Sequence, residues 1–288
     1  MAEPTDPRVA VYIDFDNIVI SRYDQVHGRN QFQRDRARGF GEVERAADPE
    51  IVKRLEAGTV DVGAIIDFAS SFGTLVLTRA YADWSAPVNA GYRGQLVARA
   101  VDLVQLFPAA AYAKNGADIR LAVDTVEDMF RLPDLTHVVI VAGDSDYVPL
   151  AQRCKRLGRY VVGIGVAGST ARSLAAACDE FVSYDALPNE PEAEREPEPA
   201  TPELEPERDP QADATRLLER ALRIGHEKDD AEWLHSSAVK TQMKRMDPSF
   251  SERAIGYRSF SDFVKSRSSI AELDESSTAR LIRLVQAR

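Results

Sequence analysis

The sequence is poor in the residues that build disulfides and soft-metal sites. Its 288 residues include two cysteines and four histidines. Cys154 and Cys178 lie far apart, each in a predicted helix. They read as small buried hydrophobes, not as a disulfide or a zinc site. Long apolar runs are also missing: no stretch approaches the roughly 18 consecutive apolar residues that span a bilayer. The opening MAEPTDPR has no basic-then-apolar signal pattern, so a cytoplasmic protein with no membrane partner is expected. Two phosphate-binding fingerprints are absent. There is no Gly-x4-Gly-Lys-Ser/Thr loop, and no Gly-x-Gly-x-x-Gly follows the first apolar run, which argues against ATP and NAD chemistry. Positive charge is short too. The net charge is −10, whereas a nucleic-acid binder is expected to be basic.

That deficit is uneven. Residues 187–211 carry nine acids against Arg195 and Arg208, a net of −7, and are rich in Pro and Glu. Such a segment cannot build a core and its like charges repel, so it reads as an extended linker. Residues 212–288 carry 14 bases against 12 acids. The expected organisation is a large domain over 1–186, the linker over 187–211, and a small α-rich module over 212–288.

What is present is a repeated strand–helix pattern. Val138 to Ala142 is an apolar run that ends in Gly143-Asp144-Ser145-Asp146. A helical pattern from Tyr147 to Gly158 and a second apolar run from Tyr160 to Val166 follow. This strand–helix–strand unit implies a mostly parallel sheet covered by helices. Val9 to Ile13 is another such run and ends in Asp14-Phe15-Asp16-Asn17. Further expected elements are helices over 61–69, 94–107, 118–131 and 169–177, and strands over 74–81, 109–113 and 180–184. Residues 24–50 are polar and read as a long loop or insertion. Trp84, beside Asp83, reads either as a base-stacking group or as a loop anchor.

In a parallel sheet all the carboxyl ends of the strands share one edge. Asp14, Asp118, Asp144 and Asp146 are therefore expected to converge there. Carboxylates packed together repel, and a cation relieves that. A donor set of carboxylates without a His or Cys cluster selects a hard ion, Mg²⁺ or Mn²⁺. Such an ion suits hydrolysis of a phosphodiester. The competing reading is that these acids are helix N-caps, with Asp118 and Asp146 both placed to cap. Asp124, about 120° round the helix from Asp118, is expected behind the ligands or at the surface.

These residues carry a resemblance. Ile13-Asp14-Phe15-Asp16-Asn17, Lys114-Asn115-Gly116-Ala117-Asp118-Ile119-Arg120-Leu121 and Val141-Ala142-Gly143-Asp144-Ser145-Asp146-Tyr147, in this order, make residues 9–185 resemble a NYN domain of the PIN-like nuclease superfamily. The resemblance implies an α/β PIN-like sandwich and a metal-dependent ribonuclease site with Asp14, Asp118, Asp144 and Asp146 as its acids. It implies that Asn17 orients the first acid or the substrate, that Ser145 binds a phosphate or water, and that Lys114 binds a phosphate. The 24–50 insertion is similar to that of a bacterial subgroup of the family.

The run from Asp247 to Val264, with Gly256-Tyr257-Arg258-Ser259-Phe260-Ser261-Asp262-Phe263, is similar to the LOTUS, or OST-HTH, domain. That implies a winged-helix-like fold associated with RNA, and a partner that is RNA, single-stranded or structured, or another protein. Tyr257, Phe260 and Phe263 are either a stacking set or a small core. Lys240, Lys244, Arg245, Arg253 and Arg258 are candidate phosphate contacts. Leu281 to Val285 is expected to be a closing helix. Three functions follow from these residues: a metal-dependent endoribonuclease, a non-catalytic RNA-binding adaptor, or a phosphatase on small substrates.

Overall fold

The computed structural model describes residues 6–41, 48–107, 116–187, 209–228, 231–276 and 279–285. The chain divides into two compact units, Met1–Leu187 and Pro188–Arg288. Among the described residues no helix is long and apolar enough to cross a membrane.

The first unit is built on a six-stranded sheet: β1 (Arg8–Asp14), β2 (Thr74–Ala82), β3 (Asp102–Gln105), β4 (His137–Val141), β5 (Tyr160–Gly165) and β6 (Glu180–Ser183). Its order is β3-β2-β1-β4-β5-β6 and every pair is parallel. Helices α1 (Phe15–His27), α2 (Pro49–Ala57), α3 (Val62–Ser70), α4 (Arg93–Ala98), α5 (Gly116–Arg131), α6 (Val148–Arg156) and α7 (Arg172–Ala177) surround it. Val9 to Ile13 are each at most 1% exposed. A strand covered on both faces has no solvent side, which is why it reads as a continuous apolar run and not as an alternation. The side chains still alternate. Val9, Val11 and Ile13 enter one core with α1 and α3, while Ala10 and Tyr12 enter a second with α5 and α6.

The strand order places the site. Chain order runs outward from β1 in one direction through β2 and β3, then returns to place β4 on the other side of β1. Ligand crevices of open parallel sheets lie beyond the carboxyl ends of the strands where the order reverses. Here that point is between β1 and β4, whose ends carry Asp14 and Asp144.

Two expectations change in this unit. The expected helix over 94–107 stops at Ala98, and the chain forms β3 at Asp102–Gln105. Ala100 holds φ +54, which breaks the helix, and Leu103 and Val104 are half-buried beside β2. The strand expected at 109–113 lies outside the described residues, as does almost all of the 187–211 linker. The insertion is not a featureless loop: α1 runs to His27, and a helical turn Gln31–Arg34 and a 3-10 turn Ala37–Gly39 follow. Phe32, Ala37 and Phe40 are buried in the core. Asp24 accepts from the Phe32 and Asn30 N–H groups at 2.7 and 2.8 Å. Trp84 is an anchor. It is 4% exposed, its Nε1 donates to the Val104 carbonyl at 3.0 Å, and its ring lies against Phe15.

The second unit holds α8 (Pro210–Lys228), β7 (Leu234–His235), α9 (Ser236–Met246), α10 (Phe260–Lys265), β8 (Ala271–Asp274) and β9 (Leu281–Leu284). Its three strands form an antiparallel sheet in the order β7-β9-β8. Leu281 to Leu284 is thus a strand and not a closing helix. Ile282 is fully buried between half-buried neighbours, the period of two of a strand, and so short an apolar run does not distinguish the alternatives by itself. Trp233 and Leu234 leave the helical set for the same reason, with Leu234 in β7 and the Trp233 ring under Arg283. Phe250, Phe260 and Phe263 pack together in the core and Tyr257 packs against them, which settles those aromatics as structural. Gly256 turns the chain at φ +93, a conformation that disfavours a side chain.

Candidate functional site

Asp14 is the last residue of β1 and the N-cap of α1. Its carboxylate accepts from the Asn17 N–H at 3.2 Å and from the Tyr147 hydroxyl at 2.8 Å. It is 4% exposed. Burial pushes its carboxyl up to about 7, and the charges of Asp118 and Asp16 add to this against the two hydrogen bonds. Asp118 lies in the first turn of α5, half-buried. Its carboxyl is raised by burial, then by the facing charges of Asp144 and Asp146, while the Tyr147 hydroxyl opposes the shift. Tyr147 is buried between Asp14 and Asp118. Burial and these two carboxylates raise its hydroxyl so far that it stays a neutral donor. A hydroxyl has one proton and two carboxylates compete for it.

Asp144 follows β4 and caps the 3-10 turn Ser145–Tyr147, accepting from the Asp146 N–H at 3.1 Å. Ser145 is exposed and its Oγ lies 3.4 Å from the Asp144 carboxylate. Asn17 fixes the relation of the two strand ends: its Oδ1 accepts from the Gly143 N–H at 3.0 Å. The structure therefore places Asp14 and Asp118 on one tyrosine, with Asp144 and Asp146 near enough to Asp118 for their charges to act on it. The capping reading holds beside this one with different residues, because Asp14 and Asp144 cap, while Asp118 and Asp146 lie within first turns. Lys114 lies outside the described residues.

Among the described residues, no group of three or more His, Cys, Asp or Glu side chains is closed around a metal position. The donor chemistry nonetheless suits a hard cation. Oxygen ligands alone converge here, and two of the acids are held above their ordinary range by burial and like charge. A divalent ion would relieve both effects.

Asp16 does not join this group. Its Oδ1 accepts from Asn89 Nδ2 at 2.6 Å, and its Oδ2 faces Arg38 Nη2 at 3.3 Å. Asp83, after β2, faces the same Nη2 at 3.4 Å and accepts from the Ser85 N–H and Gln105 Nε2, each at 3.1 Å. Asp124 is not at the surface. It is 8% exposed, and it accepts from the Tyr81 hydroxyl at 3.1 Å and from Arg120 Nε at 2.9 Å. One turn on, Asp128 accepts from the Tyr12 hydroxyl at 3.0 Å and from Arg79 at 2.5 Å.

The NYN domain model matches residues 8–185. The chain belongs to the NYN family. Behind the NYN domain, residues 208–283 match the OST-HTH/LOTUS domain. NYN domains are PIN-like folds, generally nucleases that use divalent metals, and OST-HTH domains are associated with RNA binding. No curated protein matches the sequence. A crystal structure of a protein of unknown function from Vibrio parahaemolyticus is similar at 20% identity, covering 64% of this chain and 96% of that one, with a TM-score of 0.44. A solution structure of an uncharacterized protein from Nitrosomonas europaea is similar at 26% identity over 33% of this chain and 90% of that one, with a TM-score of 0.22.

Sequence reasoning missed Tyr147 as a site residue, together with Arg38 and Asn89. Tyr147 follows Asp146 directly, but an aromatic at a helix start reads as core, and the hydroxyl's position shows only once β1 and β4 pair. In the LOTUS unit, Lys244, Arg253 and Arg258 are exposed. Lys240 is paired with Glu252 at 2.5 Å, and Arg245 is half-buried with interactions of its own.

Proposed function

We propose that the protein is a cytoplasmic, Mg²⁺- or Mn²⁺-dependent endoribonuclease whose NYN domain hydrolyses RNA phosphodiesters. The observation that carries this reading is the approach of Asp14 and Asp118 on Tyr147 at the β1–β4 switch point, with the charges of Asp144 and Asp146 facing Asp118. These four acids would hold the ion. When bound, the ion polarises the phosphoryl oxygen and lowers the pKa of water, as hard ions do in phosphodiester hydrolysis. The rest belongs to the chain. Tyr147 bridges the Asp14 and Asp118 carboxylates, which compete for its one proton. Asn17 ties the β1 end to the Gly143 backbone, so the two strand ends keep their spacing. Ser145, exposed beside Asp144, and Lys114 are proposed contacts for the substrate phosphate.

The LOTUS domain, on the acidic 187–211 tether, would bind RNA, single-stranded or structured, or a protein partner. Tethering raises the effective concentration of that RNA at the acids. Lys244, Arg253 and Arg258 are its proposed phosphate contacts, with Arg245 contributing from a less exposed position.

The test is cleavage of a labelled single-stranded RNA by the full chain with Mn²⁺ or with EDTA, beside Asp144→Asn/Asp146→Asn. Cleavage that needs both the ion and the acids supports the nuclease. A second reading, a non-catalytic RNA-binding adaptor, is favoured by one observation: the described carboxylates are not closed around a metal position. RNA bound but cut by neither protein would select it.

A further inference from the structure

The insertion after α1 carries an arginine held by two acids beside the acidic edge, with most of its donors unused. Arg38 sits in the 3-10 turn Ala37–Gly39, between the buried Ala37 and Phe40. That turn packs on the helical turn Pro87–Ala90. Anchored on both sides, it points the guanidinium at the acidic edge. Both ion pairs of Arg38, to Asp16 and Asp83, run through the single atom Nη2, at 3.3 and 3.4 Å. Its Nε and Nη1 have no hydrogen-bond partner among the described residues, and the side chain is 44% exposed. Arg79 and Arg54 differ: each has a contact of 3.1 Å or shorter to a carboxylate and is more enclosed.

The two acids that hold Arg38 are themselves fixed. Asn89, 1% exposed, holds Asp16 through its Nδ2, which also donates to the Asp83 carbonyl at 3.0 Å. Asp83 is held by Ser85 and Gln105 as well. Asp16 is two residues from Asp14 on the same turn of α1. The arrangement thus presents three unused N–H donors of a planar fork beside the four-acid site, on the β2 side of it. A guanidinium with free donors is the side chain best matched to a phosphodiester oxygen pair.

We propose that Arg38 is a phosphate-binding residue for the RNA strand, contacting a phosphate next to the scissile one, and that Asp16, Asp83 and Asn89 are its positioning residues. The insertion then has a defined role: it delivers a cation to an edge that would otherwise repel the substrate. The assignment to RNA rests on the nuclease reading.

The experiment measures RNA affinity of the full chain by fluorescence anisotropy in EDTA, as a function of salt, for wild type, Arg38→Ala and Arg38→Lys. Cleavage kinetics in Mn²⁺ run beside it. Loss of one phosphate contact lowers the salt slope by about 1 and weakens binding at every sequence, whichever domain supplies the other contacts. Arg38→Ala is expected to show that slope change, an affinity loss of roughly tenfold, and a raised KM with kcat nearly kept. Arg38→Lys retains the charge and loses the fork, so it keeps the slope and recovers part of the affinity. A melting curve shows whether each variant is folded, and Arg38→Lys keeps the ion pair if Arg38→Ala does not fold. Unchanged slope and KM in folded variants would overturn the proposal and leave Arg38 as a clamp on the insertion. If wild type binds RNA without cutting it and the slope still falls in Arg38→Ala, the nuclease reading fails and the phosphate site stands.

Discussion

Helix α5 carries acids at both of its functional extremes, and their surroundings are opposite. Asp124 and Asp128, on its buried face, each meet one tyrosine hydroxyl and one arginine. Asp118, in its first turn, meets Tyr147 and the charges of other carboxylates, with no ion pair among the described residues. The first arrangement is complete. Buried charges persist in a fold when they are paired and hydrogen-bonded. The second is unbalanced, and burial together with like charge raises the Asp14 and Asp118 carboxyls. The lesson is that counting acids on a sheet edge is not enough. What separates a candidate metal ligand from a structural acid is whether the chain supplies its counter-charge.

The strongest way to break this contrast is to remove charge on each side of it. Asp144→Asn/Asp146→Asn should lower RNA cleavage in Mn²⁺ by at least about 100-fold, with stability held or raised, because like charges are relieved. Urea unfolding beside the cleavage assay reads both. Asp128→Ala should do the reverse. It leaves Arg79 and Tyr12 facing a lost partner and costs about 3 kcal/mol, equally with and without Mn²⁺, while cleavage per folded molecule is kept.

Tyr147→Phe sharpens the comparison from within the site. Removing the hydroxyl leaves Asp14 Oδ2 buried without its donor, with only the Asn17 N–H kept on Oδ1, and should cost about 2 kcal/mol in EDTA. Adding Mn²⁺ should reduce that cost, which a denaturation series at fixed metal concentrations would show. A cost independent of Mn²⁺ would make Tyr147 an ordinary core residue. Gly163→Ala tests the sheet beneath, since a Cβ there would meet the Phe181 ring at 2.5 Å and Cys178 Sγ at 2.9 Å. Overpacking of this kind costs about 1–3 kcal/mol and should lower the melting temperature without a selective effect on cleavage.

The smallest effect is on the insertion. Partial burial pushes the Asp35 carboxyl up, and hydrogen bonds from Tyr23, Gln31 and Arg54 outweigh this and hold it below its ordinary value. A depressed carboxylate stabilises above its unfolded pKa of about 3.9 and loses that contribution as pH falls through the folded value. Asp35→Asn should therefore lower stability at pH 7, where the contribution is full, and flatten the further loss below pH 4, so that the two proteins converge in acid, as acid titration followed by tyrosine fluorescence would show.

Much of the fold was legible because its determinants are local or periodic. The runs at Val9–Ile13, Val138–Ala142 and Tyr160–Val166 are buried on both faces, and such strands announce themselves. Asp14 and Asp144 were legible at one edge because parallel strands share it, whereas Asp118 arrives from the first turn of α5. β3 was not, since Asp102–Gln105 continues a helical pattern and only its pairing with β2 makes it a strand. Leu281–Leu284 failed in the same way. Arg38 was hidden by its setting in a polar stretch of mixed charge, where no period marks which cation turns inward. Asp16 and Asp14, one residue apart from Phe15, looked equivalent; Asn89, from a distant turn, is what separates them.

The parallel sheet has a consequence for when the site exists at all. β1 lies between β2 and β4, so the first strand made is completed on one side only after residues near 141 are available. Contacts this distant in sequence form slowly, because a long loop must close before they form. Asp14 cannot face Tyr147 or Asp118 until that closure. During synthesis or refolding, a partly formed NYN domain holds its acids apart and has no cleft between β1 and β4. The closure of β4 on β1 and the meeting of Asp14 with Tyr147 are the same event.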